Sequence, residues 1–550
     1  MKYLILGLFV IIGLFYVLKL YSRYKMNRVK NRLRVTYGEL EVMDVKAEDI
    51  ESIHASYQYL KREDDIDDIT WSDLDLEEIF WRINSTQSSL GDEWLYARLH
   101  RQIPDDLHEI DQLIKYFDAS EEDRLNVQVQ LNYIGKHTGH NTYEFLEHIN
   151  SIRSTRSYLY LGQMIVFVTS ILLCFIIPDI GIPLALFSFL LNNYTYYALN
   201  PNQKYEKNLQ LIGSAIGICA HLKKTTSFND DNPYFKQFNA LIRVLSPISK
   251  TIKRSTGTSM ASESGIMFKG LDAAFLITPT FMSISLNLIQ KHKQNILDLF
   301  EVLGAFDGTI ATASYKHTLP YFCEPTFTSN DTLEYDALVN PLLSDKNGVS
   351  NSATTHNKLI FTGSNASGKS TFIKALALNA HLGQTLNVCC AKRYAFKPGY
   401  IYTSMALRDN VLSGKSYFIV ELESLKRIVN AIHTHDHCIV VVDEILRGTN
   451  TIERIAASSS ILESIKDTNA MVCVATHDIE LTQILNGSYD NYHFRETVGD
   501  GGISFDYKLH EGPSTTTNAI KLLAYMDFDA QIVDTSNQRV DQFKQHKSWR

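Results

Sequence analysis

The sequence predicts an α/β P-loop NTPase-type domain with a mostly parallel sheet, preceded by an all-α helical core that carries transmembrane helices. Three observations predict it. From about residue 311 short apolar runs alternate with helical stretches; Gly363 to Ser370 form a G-x-x-x-x-G-K-S motif between an apolar run and a helical one; and two strongly apolar tracts, residues 3–20 and 158–198, interrupt an otherwise amphipathic first half.

The chain has 550 residues, 45% of them hydrophobic and 21% charged, which excludes a single small module and a wholly disordered chain. Its net charge of −8 gives no overall electrostatic reason to bind a polyanion. Seven scattered cysteines with no C-x-x-C pair suggest neither a zinc knuckle nor a disulfide framework, so reduced thiols are expected.

Residues 1–36 read as an N-terminal anchor with a basic flank. The run YLILGLFVIIGLFYVLKL, at about 1.5 Å per residue, nearly matches a hydrocarbon core about 30 Å thick. It is followed by RYKMNRVKNRLR, not by a small-residue cleavage site, so an uncleaved anchor is preferred over a signal peptide. Lys19 to Thr36 hold seven basic residues and no acid, which by the positive-inside bias places the flank in the cytoplasm. A nucleic-acid-binding arm is the competing reading. With this flank set apart, the rest of the chain carries −15.

Residues 37–157 read as a helical core segment. Nine acids and two bases occupy residues 61–81, followed by EEIFWRINSTQSSLGDEWLYARLHRQI with Ile79, Ile83, Leu90, Trp94, Leu95 and Leu99 at helical spacing. Residues 158–198 read as a transmembrane hairpin with arms 158–177 and 182–198, broken at Pro178, Asp179, Gly181 and Pro183; a buried pair of core helices is the alternative. Residues 199–310 hold further helical stretches and read as a lever. The topology expected is a multi-pass protein of the cell (inner) membrane, with the domain at 311–550 in the cytoplasm.

Within 311–550, KLIFT leads into Gly363, Ser364, Asn365, Ala366, Ser367, Gly368, Lys369, Ser370 and Thr371. Backbone N–H groups of such a loop surround phosphate oxygens, Lys369 reaches the β- and γ-phosphates of ATP, and Ser370 is placed to ligate Mg²⁺. Further on, HCIVVVDE is a buried strand ending in two carboxylates, with Asp443 expected in the Mg²⁺ shell and Glu444 expected to position or deprotonate the attacking water. A third strand, AMVCVAT, ends in His477, expected to sense the γ-phosphate or order that water.

These residues together resemble the MutS family of DNA mismatch-repair ATPases. GSNASGKSTFIKALALNA is similar to its P-loop, VVDEILRGTNTIERIA to its acidic strand and following loop, and ATHDIELT to its histidine segment. YTSMALRDNVLSGKSYFIVELESLKRIVNAI is similar to the family segment that supplies a serine to the partner subunit's nucleotide, which by that match is Ser416. IFWRINSTQSSLGDEWLYARL is similar to the start of the helical core, a helix, a polar turn with glycine and a second helix. The resemblance implies an ATPase using ATP and Mg²⁺, a homodimer joined through the ATPase domain, and double-stranded DNA held by the helical core.

Departures from the family pattern qualify that expectation. Leu446 stands where the family usually has Gly, Thr516, Thr517 and Asn518 replace its S-Y-G-I run, and the roughly 30 residues between the basic flank and the acidic helix are too few for a mismatch-recognition domain. Two functional readings follow: a membrane-anchored ATPase coupled to DNA binding, and a mechanochemical ATPase acting on the envelope or an unknown protein partner without DNA. A solute transporter is weaker, because the apolar tracts lack a charged path.

Overall fold

The structure is a computed structural model that describes residues 2–40, 46–137, 141–152, 157–198, 203–255, 264–346, 348–364, 367–405, 417–499, 502–514 and 519–546. It has two compact units. One comprises Met1–Lys61, Arg82–Arg98 and His108–Thr318; the other comprises Arg62–Trp81, Leu99–Leu107 and Leu319–Arg550.

The units divide the chain differently from the spans expected above. The helix beginning at Lys293 runs unbroken to Thr318, so the helical region passes residue 310. The acidic stretch 62–81 groups with the sheet instead of the helical core, and its charge explains why. Asp73, nearly buried, accepts from the Thr403 hydroxyl at 2.8 Å and the Met405 N–H at 2.9 Å, and Asp67 pairs with Arg427.

The helical unit is built around Lys293–Thr318, most of which is buried. Gly304 and Gly308, four residues apart, lie on one face of this helix. A Cβ at Gly304 would meet Trp94 Cβ at 2.7 Å, and one at Gly308 would meet Trp94 Cε3 at 2.3 Å, so the two glycines make the groove that receives the indole. Between them, buried Asp307 accepts from the Gln87 and Ser88 N–H groups and from the Ser88 hydroxyl. These groups immediately precede the helix Ser89–His100, so Asp307 fixes the chain where that helix begins. Gly91 falls inside this helix, and the polar turn expected to contain it is residues 84–88.

The first helix runs Lys2–Thr36, longer than the apolar run alone. Its C-terminal half is fastened to the unit: Leu33 packs with Leu125 and Val129, Lys30 donates to Asn126 at 2.7 Å, and just past its end the Tyr37 hydroxyl donates to Asp118 at 2.6 Å. The expected hairpin is present as helices Ser157–Ile176 and Pro178–Ala198. Only Ile177 separates them, because Pro183 is accommodated in the second turn. The helices approach closely at Gly181, where a Cβ would lie 2.4 Å from the Cys174 nitrogen. Among the described residues, one helix, Ser157–Ile176, is long and apolar enough to cross a membrane.

The second unit contains β1 (Thr326–Phe327), β2 (Thr332–Leu338), β3 (Asn351–His356), β4 (Lys358–Thr362), β5 (Arg393–Phe396) and β6 (Tyr400–Ser404). Then follow β7 (Cys438–Asp443), β8 (Ala470–Ala475), β9 (Asp490–His493), β10 (Glu496–Gly499), β11 (Gly502–Phe505) and β12 (His510–Glu511). The central sheet has the order β12-β9-β4-β8-β7-β6, with β9 through β6 parallel and β12 antiparallel at the edge. Strands β4 and β8 are buried at every residue, and β8 and the Leu359–Phe361 centre of β4 are apolar throughout, as expected of a parallel sheet covered on both faces. A smaller sheet, β1-β5-β2-β3, lies in the same unit. The C-terminal helices Ala519–Tyr525 and Ala530–His546 pair with one another, and no residue of the second is buried.

Candidate nucleotide-binding site

The sheet order makes β4, β8 and β7 neighbours, so three segments distant in sequence end side by side at their carboxyl edge. Main-chain bonds set the register: the Thr476 N–H donates to Phe361 O at 2.9 Å and the Glu444 N–H to Ala475 O at 2.8 Å. The P-loop, His477 and the Asp443–Glu444 pair therefore emerge together. In parallel sheets with helices on their faces, this edge is where ligands bind.

The loop after β4 depends on glycine at both ends. Gly363 has φ +142° and a Cβ there would meet Phe494 O at 2.5 Å; Gly368 has φ +103° and a Cβ there would meet Tyr507 Cδ1 at 3.0 Å. Lys369 opens the helix Lys369–Leu386, and its ammonium donates to Gly363 O and Ser364 O, both at 2.8 Å. Burial pushes its pKa down to about 8, against the opposing pull of Asp443, Glu444 and Glu496. Ser370 and Thr371 are exposed on the first turn. The Ser367 hydroxyl is buried and has no hydrogen-bond partner among the described residues, an orphaned donor within the loop that a phosphate oxygen would satisfy.

Glu444 lies in the left-handed region, φ +59°, as does Leu446 at φ +61°. The family's usual glycine at position 446 suits that conformation; here a leucine adopts it and is buried. The Glu444 carboxylate accepts from His477 Nε2 at 2.9 Å on one oxygen and from Arg447 Nε at 2.8 Å on the other. The bond from His477 is the largest influence on it and, with Arg447 and Lys369, holds its carboxyl below the usual range despite burial. Arg447 also donates to Asp443 O at 2.9 Å and lies 3.5 Å from Asp443 Oδ2.

A cavity of about 480 Å³ opens at this edge, within the range of roughly 300–1,000 Å³ typical of small-molecule sites. Its lining includes Ser364, Ser367, Gly368, Lys369, Ser370, Thr371, Glu444 and His477. Apolar side chains, among them Leu338, Val339, Leu343, Val349, Phe494 and Tyr507, also line it, with Asn340, Lys346 and Asn351. Asp443 ends β7 and is not part of the lining. Asn365, Ala366 and Ser416 lie outside the described residues.

Several residues of the site carry no sequence signal of their own. Glu496, at the start of β10, accepts from the Ser364 hydroxyl at 2.5 Å. Arg454 holds Asp478 through two bonds, 2.9 and 2.6 Å, which fixes the backbone beside His477. Glu421 and Arg447 clamp the turn after β7. Arg454, Asp478, Glu421 and Arg447 belong to segments quoted above for their resemblance and Glu496 to none, and only the folded geometry reveals their partners.

The sequence profile of MutS domain V matches residues 359–544, which contain the P-loop, Asp443–Glu444 and His477. Relatives match part of the chain. The DNA mismatch repair protein MSH3 of Phaeosphaeria nodorum is 27% identical over 259 residues, 44% of this chain and 23% of that protein. The DNA mismatch repair protein MutS of Thermotoga neapolitana is 32% identical over 205 residues, 36% of this chain and 25% of that protein, and its counterpart in Thermus aquaticus is 29% identical over 180 residues, 32% and 22% respectively. The chain thus spans about a quarter of the length of the curated relatives it matches. Residues 359–544 thus match MutS domain V, and part of the chain is similar to MutS-family DNA mismatch repair proteins.

Proposed function

We propose that this chain is a membrane-attached MutS-family ATPase that binds ATP in the cavity at the β4–β8–β7 edge and hydrolyses it. The observation that carries the reading is the meeting of Lys369, Glu444 and His477 around one cavity lined by both polar and apolar side chains. The apolar side chains suit a base and the P-loop residues a triphosphate. Lys369 exchanges its two carbonyl acceptors for phosphate oxygens, while the loop N–H groups and the Ser367 hydroxyl complete the cradle.

Glu444, kept ionised by His477 and Arg447, orients a water and takes its proton, and His477 shares in holding that water. Ser370 and Asp443 are the residues that would hold Mg²⁺, which when bound neutralises charge on the phosphates. Arg447, beside both acids, is a resident counter-ion to them until nucleotide arrives.

The relatives' names point to DNA mismatch repair, and DNA binding by the helical unit is the primary reading of what the ATPase drives. A mechanochemical role on a protein or envelope partner is the second, favoured by the net charge of −8. Dimerisation through the ATPase unit is supported by the C-terminal helices, which leave Tyr525, Met526, Phe528 and Ile532 exposed. Membrane attachment is supported by the hairpin, where Leu172, Phe175, Ile176, Leu186 and Phe187 are each more than half exposed. Soluble monomers rarely show so continuous an apolar surface. Phosphate release from ATP by the full chain in detergent micelles tests the ATPase, and salt-dependent retention of duplex DNA separates the two readings of its output.

A further inference from the structure

We propose that Glu421 is a positioning residue for Glu444: from the helix Tyr417–Thr434 its carboxylate clamps the turn after β7 and sets where the Glu444 side chain lies. The inference rests on the reading of Glu444 as the group that orients water, and it deepens that reading.

The turn from Glu444 to Gly448 has to reverse the chain at the end of a buried strand, and two of its residues, Glu444 and Leu446, occupy the left-handed region, which non-glycine residues enter at a cost. Something outside the turn must hold it. One oxygen of Glu421 accepts from the Leu446 N–H at 2.5 Å and from the Arg447 N–H at 3.2 Å. The first turn of the same helix also meets the far side of the loop, since a Cβ at Gly448 would lie 3.2 Å from Phe418 Cβ.

From the backbone position that Glu421 fixes, the Arg447 side chain turns back to Glu444 Oε2 at 2.8 Å and Asp443 O at 2.9 Å. One buried carboxylate thus determines the backbone on one side of Glu444 and, through Arg447, the salt bridge on the other. Glu421 is 2% exposed and does not line the cavity, so it acts through the turn and not on a ligand.

The helix that carries Glu421 begins at Tyr417, the residue after Ser416. Any displacement of its first turn moves the clamp and with it Glu444.

The test compares full-length protein in detergent micelles with its E421A and E421Q variants, measuring affinity for a fluorescent ATP analogue, the turnover number for phosphate release, and the melting temperature. The glutamine oxygen can accept from the same two N–H groups, so E421Q keeps turnover near that of the parent. E421A binds nucleotide as the parent does but turns it over roughly 100-fold more slowly, the scale of loss expected when a reacting group is misplaced by about 1 Å. Equal loss in both variants, or a parallel fall in affinity, turnover and melting temperature, overturns the proposal. If E421A does not fold, Glu421→Asp, whose shorter side chain cannot span to both N–H groups, takes its place.

Absence of turnover by the parent would refute the ATPase reading and leave the clamp to a second readout. Trypsin then cleaves after exposed Arg447 faster in E421A than in the parent or E421Q, and equal cleavage in all three overturns the clamp.

Discussion

His477 Nε2 lies 2.9 Å from Glu444 Oε1, although the two residues leave different strands of the sheet. The contact exists because β7 and β8 are neighbours in register, Asp443 opposite Ala475. It makes the histidine a partner of the carboxylate as well as a lining residue of the cavity.

His477→Ala is expected to leave nucleotide affinity unchanged and lower turnover by about 10²-fold or more, the range for loss of a group that assists proton transfer. Because the bond from His477 is the main influence holding the Glu444 carboxyl low, its removal moves the acid limb of the pH–rate profile to higher pH. An unmoved acid limb would mean that His477 does not govern the ionisation of Glu444.

Glu93 makes the stability of the helical unit pH-dependent. Burial raises its pKa from 4.5 to about 8, although the Ser56 hydroxyl donates to it at 2.8 Å and opposes the shift. The fold prefers the neutral acid, so this contribution is complete below pH 4.5 and is lost progressively as pH rises toward 8. Hydrogen exchange in the helix Ser89–His100 should be faster at pH 8 than at pH 5, after correction for intrinsic rates. Glu93→Gln should flatten that difference, and an equal dependence in the variant would place its origin elsewhere.

Leu446 combines a buried side chain with a left-handed backbone. Truncating a buried leucine to alanine costs about 2–5 kcal/mol. At this φ glycine avoids a backbone penalty of about 1–2 kcal/mol that alanine retains. Leu446→Gly should therefore be the more stable of the two variants in thermal or urea unfolding. If alanine is the more stable, position 446 does not adopt the left-handed conformation.

The apolar hairpin gives a membrane-binding prediction. Full-length protein should float with lipid vesicles through a density gradient at high salt, which screens the basic flank. Replacing Leu172, Phe175 and Leu186 with aspartate should reduce that flotation, and undiminished flotation would show that the hairpin is not the attachment.

Much of the site could be read from the sequence because its parts are local. Gly363, Gly368 and Lys369 fall within one short segment, and Asp443 and Glu444 end an unmistakable buried strand. The hairpin was legible for the same reason, since its two arms form one continuous apolar tract. Long-range complementarity was not legible. Nothing in the run of acids at 62–81 shows that Asp73 will receive Thr403 and Met405, so the stretch reads as part of the helical core. Glu421 likewise reads as one acid in an amphipathic helix, because its partners are main-chain N–H groups with no residue signature. Gly304 and Gly308 disclose their purpose only once Trp94 lies across them.

The most direct test of the account compares nucleotide binding and ATP turnover in the parent, Lys369→Ala and Glu444→Gln proteins. The expected result is turnover by the parent, loss of both binding and turnover in Lys369→Ala, and retained binding without turnover in Glu444→Gln. Normal hydrolysis by Glu444→Gln would contradict the role given to this carboxylate, and absence of ATP binding by the parent would contradict the ATPase itself.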